Sequence, residues 1–452
     1  MTKNLGPNMP GETFFALASG PQRAGVAVIR VSGPSALLTY KNLSGRPVPP
    51  PRLAVYGGFR EPGSGKILDH GVAIYFKSPA SFTGDDVIEY HVHGGTAVIR
   101  GFLAALAEQP DCRLAEPGEF TRRAFENGKL DLTAAEAVAD LIDAETEAQR
   151  MQALDQLGGG LARLYQGWAE HLKKILAHQE ADIEFPEEDM PAQLAEKLRP
   201  QVKGLLQDIR AHLDDKRRGE RLRSGVLVAI LGAPNAGKSS LLNALARRDA
   251  AIVSAEAGTT RDIVEVHLDL GGYPVILADT AGLRAAESDI EAEGIRRARK
   301  LAEEADIKIV LFDGTRATQD AETLKMIDEK TVVLFTKSDL AHQARPGLHV
   351  SAATGEGMEP FLKTLTEKTA ALVNPLVNPL VGTLAGPSLT RERHRFALTD
   401  VAAALDRSLQ AQLPELAAED LRLALRSLGA LTGKVHVEDL LDTIFRDFCI
   451  GK

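Results

Sequence analysis

At 452 residues the chain is too long for one ordinary hydrophobic core and calls for about three domains. With 44% hydrophobic and 25% charged residues it has the composition of folded globular protein, which excludes a disordered or fibrous chain. A net charge of -9 excludes an extended basic surface that coats a nucleic acid and leaves room only for a local basic patch.

Pro7 and Pro10 stand where a signal peptide needs an apolar run. No later apolar run approaches the roughly 20 residues that span a bilayer. The expectation is a cytoplasmic protein with no membrane contact. Cys112 and Cys449 are the two cysteines, and their spacing suits neither a zinc site nor a disulfide framework, so both are expected as reduced thiols.

Residues 11 to 120 mix short β-rich runs, such as Val26 to Val31 and Val72 to Phe76, with Gly- and Pro-bearing turns and one helical stretch near 97 to 108. This predicts a small α+β domain. The texture changes at Leu132, where Thr133 to Glu136 fits a capping box and an Ala-, Leu- and Glu-rich run follows to about residue 180. A second helical run follows Pro191 and lasts to about Arg223. Its basic end, Lys216 to Arg218 and Arg221 to Arg223, is more often a solvated helix terminus than a nucleic-acid contact.

From Gly225 to about Leu372 apolar runs (Val226 to Leu231, Val275 to Ala278, Ile307 to Phe312, Thr331 to Phe335) alternate with helical stretches, the rhythm of βαβ units around a mostly parallel sheet. The sequence Asn-Pro-Leu-Val then occurs at 374 and again at 378, in a stretch ending near Pro387 that reads as a linker. Helical texture returns from about Leu389. The simplest organisation is an α/β domain (224 to 378) inserted into a discontinuous all-α domain (128 to 223 and 379 to 452), preceded by an α+β domain (1 to 127).

The sequence GAPNAGKS, residues 232 to 239, satisfies the P-loop pattern between an apolar strand and the helical run Ser240 to Arg247. Asn235, Ala236, Gly237, Lys238, Ser239 and Ser240 are its expected nucleotide contacts. Backbone N–H groups cradle phosphates, Lys238 neutralises the β and γ oxygens, and the Ser239 hydroxyl ligates Mg²⁺. Asp279, Thr280, Ala281 and Gly282 end the next apolar strand, which puts a carboxylate near the metal and a glycine where a γ-phosphate is sensed. Thr336, Lys337, Ser338 and Asp339 follow a further strand. The Asp339 carboxylate accepts from the guanine N1 and N2 donors, a pair that adenine lacks. Ser351, Ala352 and Ala353 follow the next strand and cap the base. Gly258 to Asp262 is the expected first switch, with Thr260 the second hydroxyl on Mg²⁺. Leu283 stands where Ras-like GTPases carry the glutamine that orients water. Another group must position the water. Glu291, in the acidic stretch Glu287 to Glu293, is either that group or one of several solvated carboxylates.

Several stretches resemble the MnmE/TrmE family of tRNA-modification GTPases over the whole chain. They are Ser81-Phe-Thr-Gly84 leading to Glu89 and His93-Gly-Gly95, Pro117 to Thr121, Asn127 to Leu132, and Phe448-Cys-Ile-Gly-Lys452. The resemblance implies that the N-terminal domain forms a homodimer and binds a one-carbon tetrahydrofolate, of the 5-formyl or methylene kind, through Arg30, Glu89, Lys129 and Lys452. It also implies hydrolysis stimulated by K⁺, held by the Asn235 side chain and by Ser254, Glu256 and Thr259. Ser254 and Thr259 then join the GTP contacts, and Glu291 becomes the residue that orients the attacking water. The implied partners are tRNA and the FAD-dependent MnmG/GidA, in a heterotetramer that adds a carboxymethylaminomethyl or aminomethyl group at C5 of the wobble uridine. Cys449 lies in the C-terminal motif, but no activating base is identifiable, so no catalytic role is assigned to it. The alternative function is a ribosome-assembly GTPase that binds rRNA, which ordinarily requires an appended RNA-binding module.

Overall fold

The computed structural model describes residues 11–184, 193–248, 250–252, 264–279, 300–341, 345–373, 377–378, 383–384, 386–435, 438–446 and 448–451. The chain divides into two compact units, Met1–Ala139 with Gly429–Lys452, and Asp140–Leu428.

The first unit opens with β1 (Thr13–Leu17), β2 (Ala24–Ser32), α1 (Ala36–Ser44), β3 (Ala54–Arg60), β4 (Ile67–Phe76), β5 (Val87–Gly94), α2 (Thr96–Ala107), β6 (Cys112–Leu114), α3 (Glu119–Glu126) and the start of α4 (Leu132–Ile142). One six-stranded sheet runs in the order β3-β4-β5-β2-β1-β6, antiparallel except for the β1–β6 pair. The period of two in the strands sets what each face carries. Ile29 and Val31 of β2, Ile88, Tyr90 and Val92 of β5, and Phe15 of β1 share one core with Phe102 of α2. Phe59, Tyr90 and Phe102 meet there with ring centroids 5.1 to 5.5 Å apart. On the opposite face Phe14 and Ala16 pack with Ala115 and Phe120, and the same face carries Arg30 and Glu89.

Helix α4 is capped by Asp131, whose Oδ1 accepts from the backbone N–H groups of Thr133 and Ala134 at 2.8 and 3.1 Å. The capping box expected at Thr133 is therefore displaced, because a carboxylate two residues earlier reaches the orphan donors; Thr133 and Glu136 are fully buried instead. A capping box does form at the start of the next helix, at Thr146 and Gln149.

The second unit contains α5 (Glu147–Leu157), α6 (Gly160–Glu184), α7 (Gln193–Leu213), α8 (Arg218–Ser224), β7 (Val226–Gly232), α9 (Lys238–Ala246), β8 (Ala251–Ile252), β9 (Val264–Leu270), β10 (Tyr273–Asp279), β11 (Ile307–Asp313), β12 (Thr331–Thr336), β13 (Leu348–Val350), α10 (Met358–Val373), α11 (Glu392–Gln410) and most of α12 (Pro414–Thr432). Its seven-stranded sheet has the order β13-β12-β11-β7-β10-β9-β8, parallel from β13 to β10 and antiparallel at β9 and β8. Both faces are covered, as near-continuous apolar strands require. Val226, Val228 and Ile230 of β7 pack with Leu241 and Leu245 of α9 and Phe361 and Leu365 of α10. Ala229 and Leu231 alternate to the other face, against Val310, Phe312, Phe335 and Ala305. Within the stretch read as a linker, Val377–Asn378 pairs antiparallel with Thr383–Leu384.

The helical run after Pro191 breaks at Lys216 and Arg217, both with positive φ (54° and 57°), and resumes as α8, which leads straight into β7. Its arginines are internally paired. Arg221 donates to Asp306 at 2.6 Å, and Arg223 to Asp140 at 2.7 Å. Beyond the sheet, Arg391 donates to the same Asp140 oxygen at 2.7 Å, while Arg395 donates to Leu213 O, Asp215 and Glu220. Gly219 passes so close to the Leu389 carbonyl that an added Cβ would lie 2.2 Å from it. The chain segments entering and leaving the sheet are thus fastened to each other. This accounts for Arg221 and Arg223 better than solvation or an RNA surface does, whereas Lys216 and Arg217 are exposed, as in a solvated helix end.

Helix α13 (Glu438–Arg446) completes the first unit, burying Leu441, Phe445 and Phe448 against Leu132 and Ala135. Ile450 bridges Pro117, and Gly451 lies against the Leu17 carbonyl.

Candidate functional site

All five parallel strands of the second unit end on one edge, and four of the expected motifs start there, after β7, β10, β12 and β13. That edge is where open α/β sheets bind ligands.

After β7 the chain turns through Gly232 (φ 152°), Asn235 (φ 64°) and Gly237 (φ 93°) into α9. A side chain on Gly232 would press within 2.7 Å of the Leu311 carbonyl, so the turn needs glycine there. The first turn of α9 has the N–H orientation and the positive dipole end that suit a phosphate. Lys238 folds back, its Nζ donating to Gly232 O at 2.7 Å and Ala233 O at 3.0 Å, and so holds its charge over the loop. Ala236 is buried in the core, whereas Asn235, Ser239 and Ser240 are exposed.

The base side is built on β12 and β13. The Thr336 hydroxyl, 5% exposed, donates to Ala236 O at 2.7 Å and Phe312 O at 3.2 Å. Lys337 has φ 58° and donates to Asp313 at 2.6 Å, and a single 3₁₀ turn, Ser338–Leu340, leaves Asp339 exposed. Ser351 is buried, with its carbonyl accepting from Gly355 N–H, while its own N–H donates to Glu356 O. The Ser338 hydroxyl reaches Glu356 at 3.3 Å and links the two base loops. A cavity of about 280 Å³ opens between Ser240 and Asn243 of α9, Arg247 just past its end, and Ala352, Gly355 and Met358. The structure therefore brings the 235–240, 336–339 and 351–353 segments to one edge. Asp279 closes β10, paired in register with Ile230. Ser254, Glu256, Gly258 to Asp262 with Thr259 and Thr260, Thr280, Ala281, Gly282, Leu283 and Glu291 lie outside the described residues.

In the first unit Arg30 and Glu89 are cross-strand partners, joined from Nε at 2.9 Å and from Nη2 at 2.8 Å. The guanidinium lies 5.5 Å from the ring centroids of both Phe82 and Phe120. The loop bearing Phe82 is pinned by Ser32 to Thr83 at 2.7 Å, by Asn127 to Thr83 O at 2.7 Å and by Arg123 to Asp85 at 2.8 Å. Lys129 donates to Pro79 O at the foot of that loop. Lys452 lies outside the described residues. Sequence reasoning missed His91, which shares the Glu89 face; its buried Nε2 stands 3.5 Å from Glu89 with no hydrogen-bond partner among the described residues. The alternation of Glu89, His91 and His93 was the available signal.

Burial, with Asp111 adding to it, pushes the Cys112 thiol up to about 11, and Cys449 is exposed. Among the described residues no cluster of His, Cys, Asp and Glu forms a metal site, and no helix is long and apolar enough to cross a membrane.

Comparison with known proteins agrees with this geometry. The family models described as "MnmE helical domain" and "GTP-binding protein TrmE N-terminus" match residues 132–449 and 13–129. The chain is 52% identical to the tRNA modification GTPase MnmE of Paramagnetospirillum magneticum, over 98% of this chain and 100% of that one. It is 53% identical to the MnmE of Parvibaculum lavamentivorans, with the same coverage. It is also 46% identical to the mitochondrial 5-taurinomethyluridine-[tRNA] synthase subunit GTPB3 of Danio rerio, over 98% of this chain and 94% of that one. The chain belongs to the MnmE/TrmE family of tRNA modification GTPases.

Proposed function

We propose that this chain binds GTP at the strand edge described above and hydrolyses it in a cycle that drives modification of C5 of the wobble uridine in tRNA. The observation that carries this reading is the Thr336 to Ala236 hydrogen bond, which makes the phosphate loop and the base-reading loop one assembly. Lys238 and the α9 amides supply positive potential for the phosphates, and Asp339 is free to accept from a guanine edge.

Mg²⁺ fits the Ser239 hydroxyl, exposed beside Lys238, with Thr260 as its second hydroxyl ligand. K⁺ fits the exposed amide of Asn235, completed by Ser254, Glu256 and Thr259. A monovalent cation there supplies the positive charge that offsets charge developing on the phosphates. Glu291 orients the water, in place of the glutamine absent at Leu283.

The Arg30–Glu89 pair, the flanking Phe82 and Phe120 rings and the unpartnered His91 Nε2 fit a flat heterocycle with a donor and acceptor edge, as in a reduced folate. Such a folate supplies a one-carbon unit. Arg30 and Glu89 bind and orient it, with Lys129 and Lys452 available to its carboxylates. The chemistry at uridine also needs a redox partner of the MnmG/GidA kind and a homodimer that pairs two first units. Domain limits near 127, 223 and 378 follow from the same reading. Among the described residues no feature favours the rRNA-switch alternative.

The test is steady-state GTP turnover in KCl and in NaCl, for the native protein and for Glu291→Ala. The expected result is faster turnover in KCl, and a Glu291→Ala rate lower by about 10²–10⁴ with GTP affinity retained. Equal rates in the two salts would remove the cation, and a normal Glu291→Ala rate would return that residue to the solvated surface.

A further inference from the structure

Lys337 has a left-handed backbone and stands between two residues with assigned tasks, Thr336 on the phosphate loop and Asp339 at the base. Its ammonium is not loose. Nζ lies 2.6 Å from Oδ2 of Asp313, the last residue of β11, whose side chain is 10% exposed. Asp313 is itself held. Its Oδ1 accepts from Thr315 N–H at 3.0 Å and from the Thr315 hydroxyl at 2.6 Å, and Gly314 N–H donates to Thr336 O at 2.9 Å. Asp313 and Thr336 are register partners on neighbouring parallel strands, so the carboxylate is built into the sheet edge rather than into a loop. Although burial works against ionisation, the hydrogen bonds from Lys337 and Thr315 hold the Asp313 carboxyl down at about 2, which keeps it charged at any working pH.

A lysine stem is four methylenes long, and it offers a flat ligand an apolar surface only if its far end is fixed. We infer that Asp313 is a positioning residue for nucleotide binding: it anchors the Lys337 ammonium so that the stem forms a preformed floor for the purine ring. This rests on the guanine-nucleotide reading of the site. Its side-chain bonds go to Lys337 and Thr315 and not to the phosphate loop, so it acts on affinity and not on hydrolysis. The stem reads the face of a purine and is blind to the edge that Asp339 reads. The two residues therefore make separable contributions, one to purine affinity and one to the choice of guanine.

The experiment compares KM and kcat for GTP and ITP, which share the ring face and differ in the exocyclic N2 amine. The proteins are the native chain, Asp313→Asn, Lys337→Met and the double variant. Asp313→Asn keeps the shape and can still accept from Thr315, but it loses the charge that holds Lys337. It should raise KM for GTP and for ITP by the same factor, about ten- to a hundredfold, with kcat at saturation unchanged. Lys337→Met should raise both KM values likewise, and adding Asp313→Asn to it should change nothing further. An unchanged KM in Asp313→Asn, a changed GTP to ITP ratio, or a full additional loss in the double variant would overturn the inference. If Asp313→Asn unfolds below the assay temperature, Lys337→Met alone decides, since an unchanged KM there leaves the anchor nothing to position. A native protein with equal KM for GTP and ITP would instead sink the guanine reading itself.

Discussion

The hydroxyl of Thr336 donates to the carbonyl of Ala236 at 2.7 Å, joining residues a hundred positions apart in sequence. Each loop is short and each carries one end of the expected nucleotide, so this bond fixes the distance between phosphate and base. Thr336→Val is nearly isosteric and leaves a buried carbonyl unpaired, at a cost of about 1–3 kcal/mol. The expected result is a lower melting temperature and weaker binding of fluorescent GDP, by about tenfold. Unaltered nucleotide affinity would show that the two loops are set independently.

Asp339 is exposed at the base end of the site. As a carboxylate it accepts two hydrogen bonds, which suits the N1 and N2 donors of guanine. Asp339→Asn presents one donor and one acceptor, which suits the O2 and N1 of xanthine instead. GTP should lose at least about tenfold in affinity, and XTP should become the better substrate. Competition binding with both nucleotides checks this, and an unchanged preference would place the base elsewhere.

Asp140, with its side chain 9% exposed, receives Arg223 from the segment entering the sheet and Arg391 from the segment leaving it. Asp140→Ala leaves two half-buried guanidinium groups without that partner. After allowance for their partial exposure, about 2 kcal/mol of stability should be lost in urea unfolding. Arg217→Ala, at a side chain 59% exposed, should cost almost nothing by the same measurement.

His212 packs 5.5 Å from Trp168, the protein's one tryptophan, and beside Tyr165 and His394. Burial lowers its pKa to about 4, aided by His394 and Arg395 and opposed by Asp215. The folded state therefore holds His212 neutral while the unfolded chain protonates near pH 6.5. This contribution is fully present above about 6.5 and is lost as pH falls toward 4, amounting to at most about 3 kcal/mol. Unfolding followed by Trp168 fluorescence should show stability falling through that window, and His212→Gln should flatten the slope. A parallel slope in the variant would assign the effect to carboxylates.

Local chemistry made the nucleotide edge legible. The apolar runs at 226, 275, 307 and 331 each became a strand, and the P-loop lies between β7 and α9 as its glycines require. Long-range pairing was not legible. Arg221 and Arg223 read as a solvated helix end because their partners, Asp306 and Asp140, are more than 80 residues away. The Thr133 capping box failed for a local reason, competition from Asp131. Arg30 and Glu89 were named as charges from the family resemblance alone. Their pairing, and the Phe82, Phe120 and His91 side chains around them, emerged only once β2 and β5 stood side by side.

On the proposed reading, the Lys238 site powers a change at the wobble uridine of tRNA. Mass spectrometry of tRNA nucleosides, from cells in which Lys238→Ala replaces the native chain at equal abundance, tests it most directly. Removing the Lys238 ammonium that lies over the phosphate loop should abolish the C5 modification, and the unmodified uridine should accumulate in its place. A full complement of modified uridine in those cells would contradict the account.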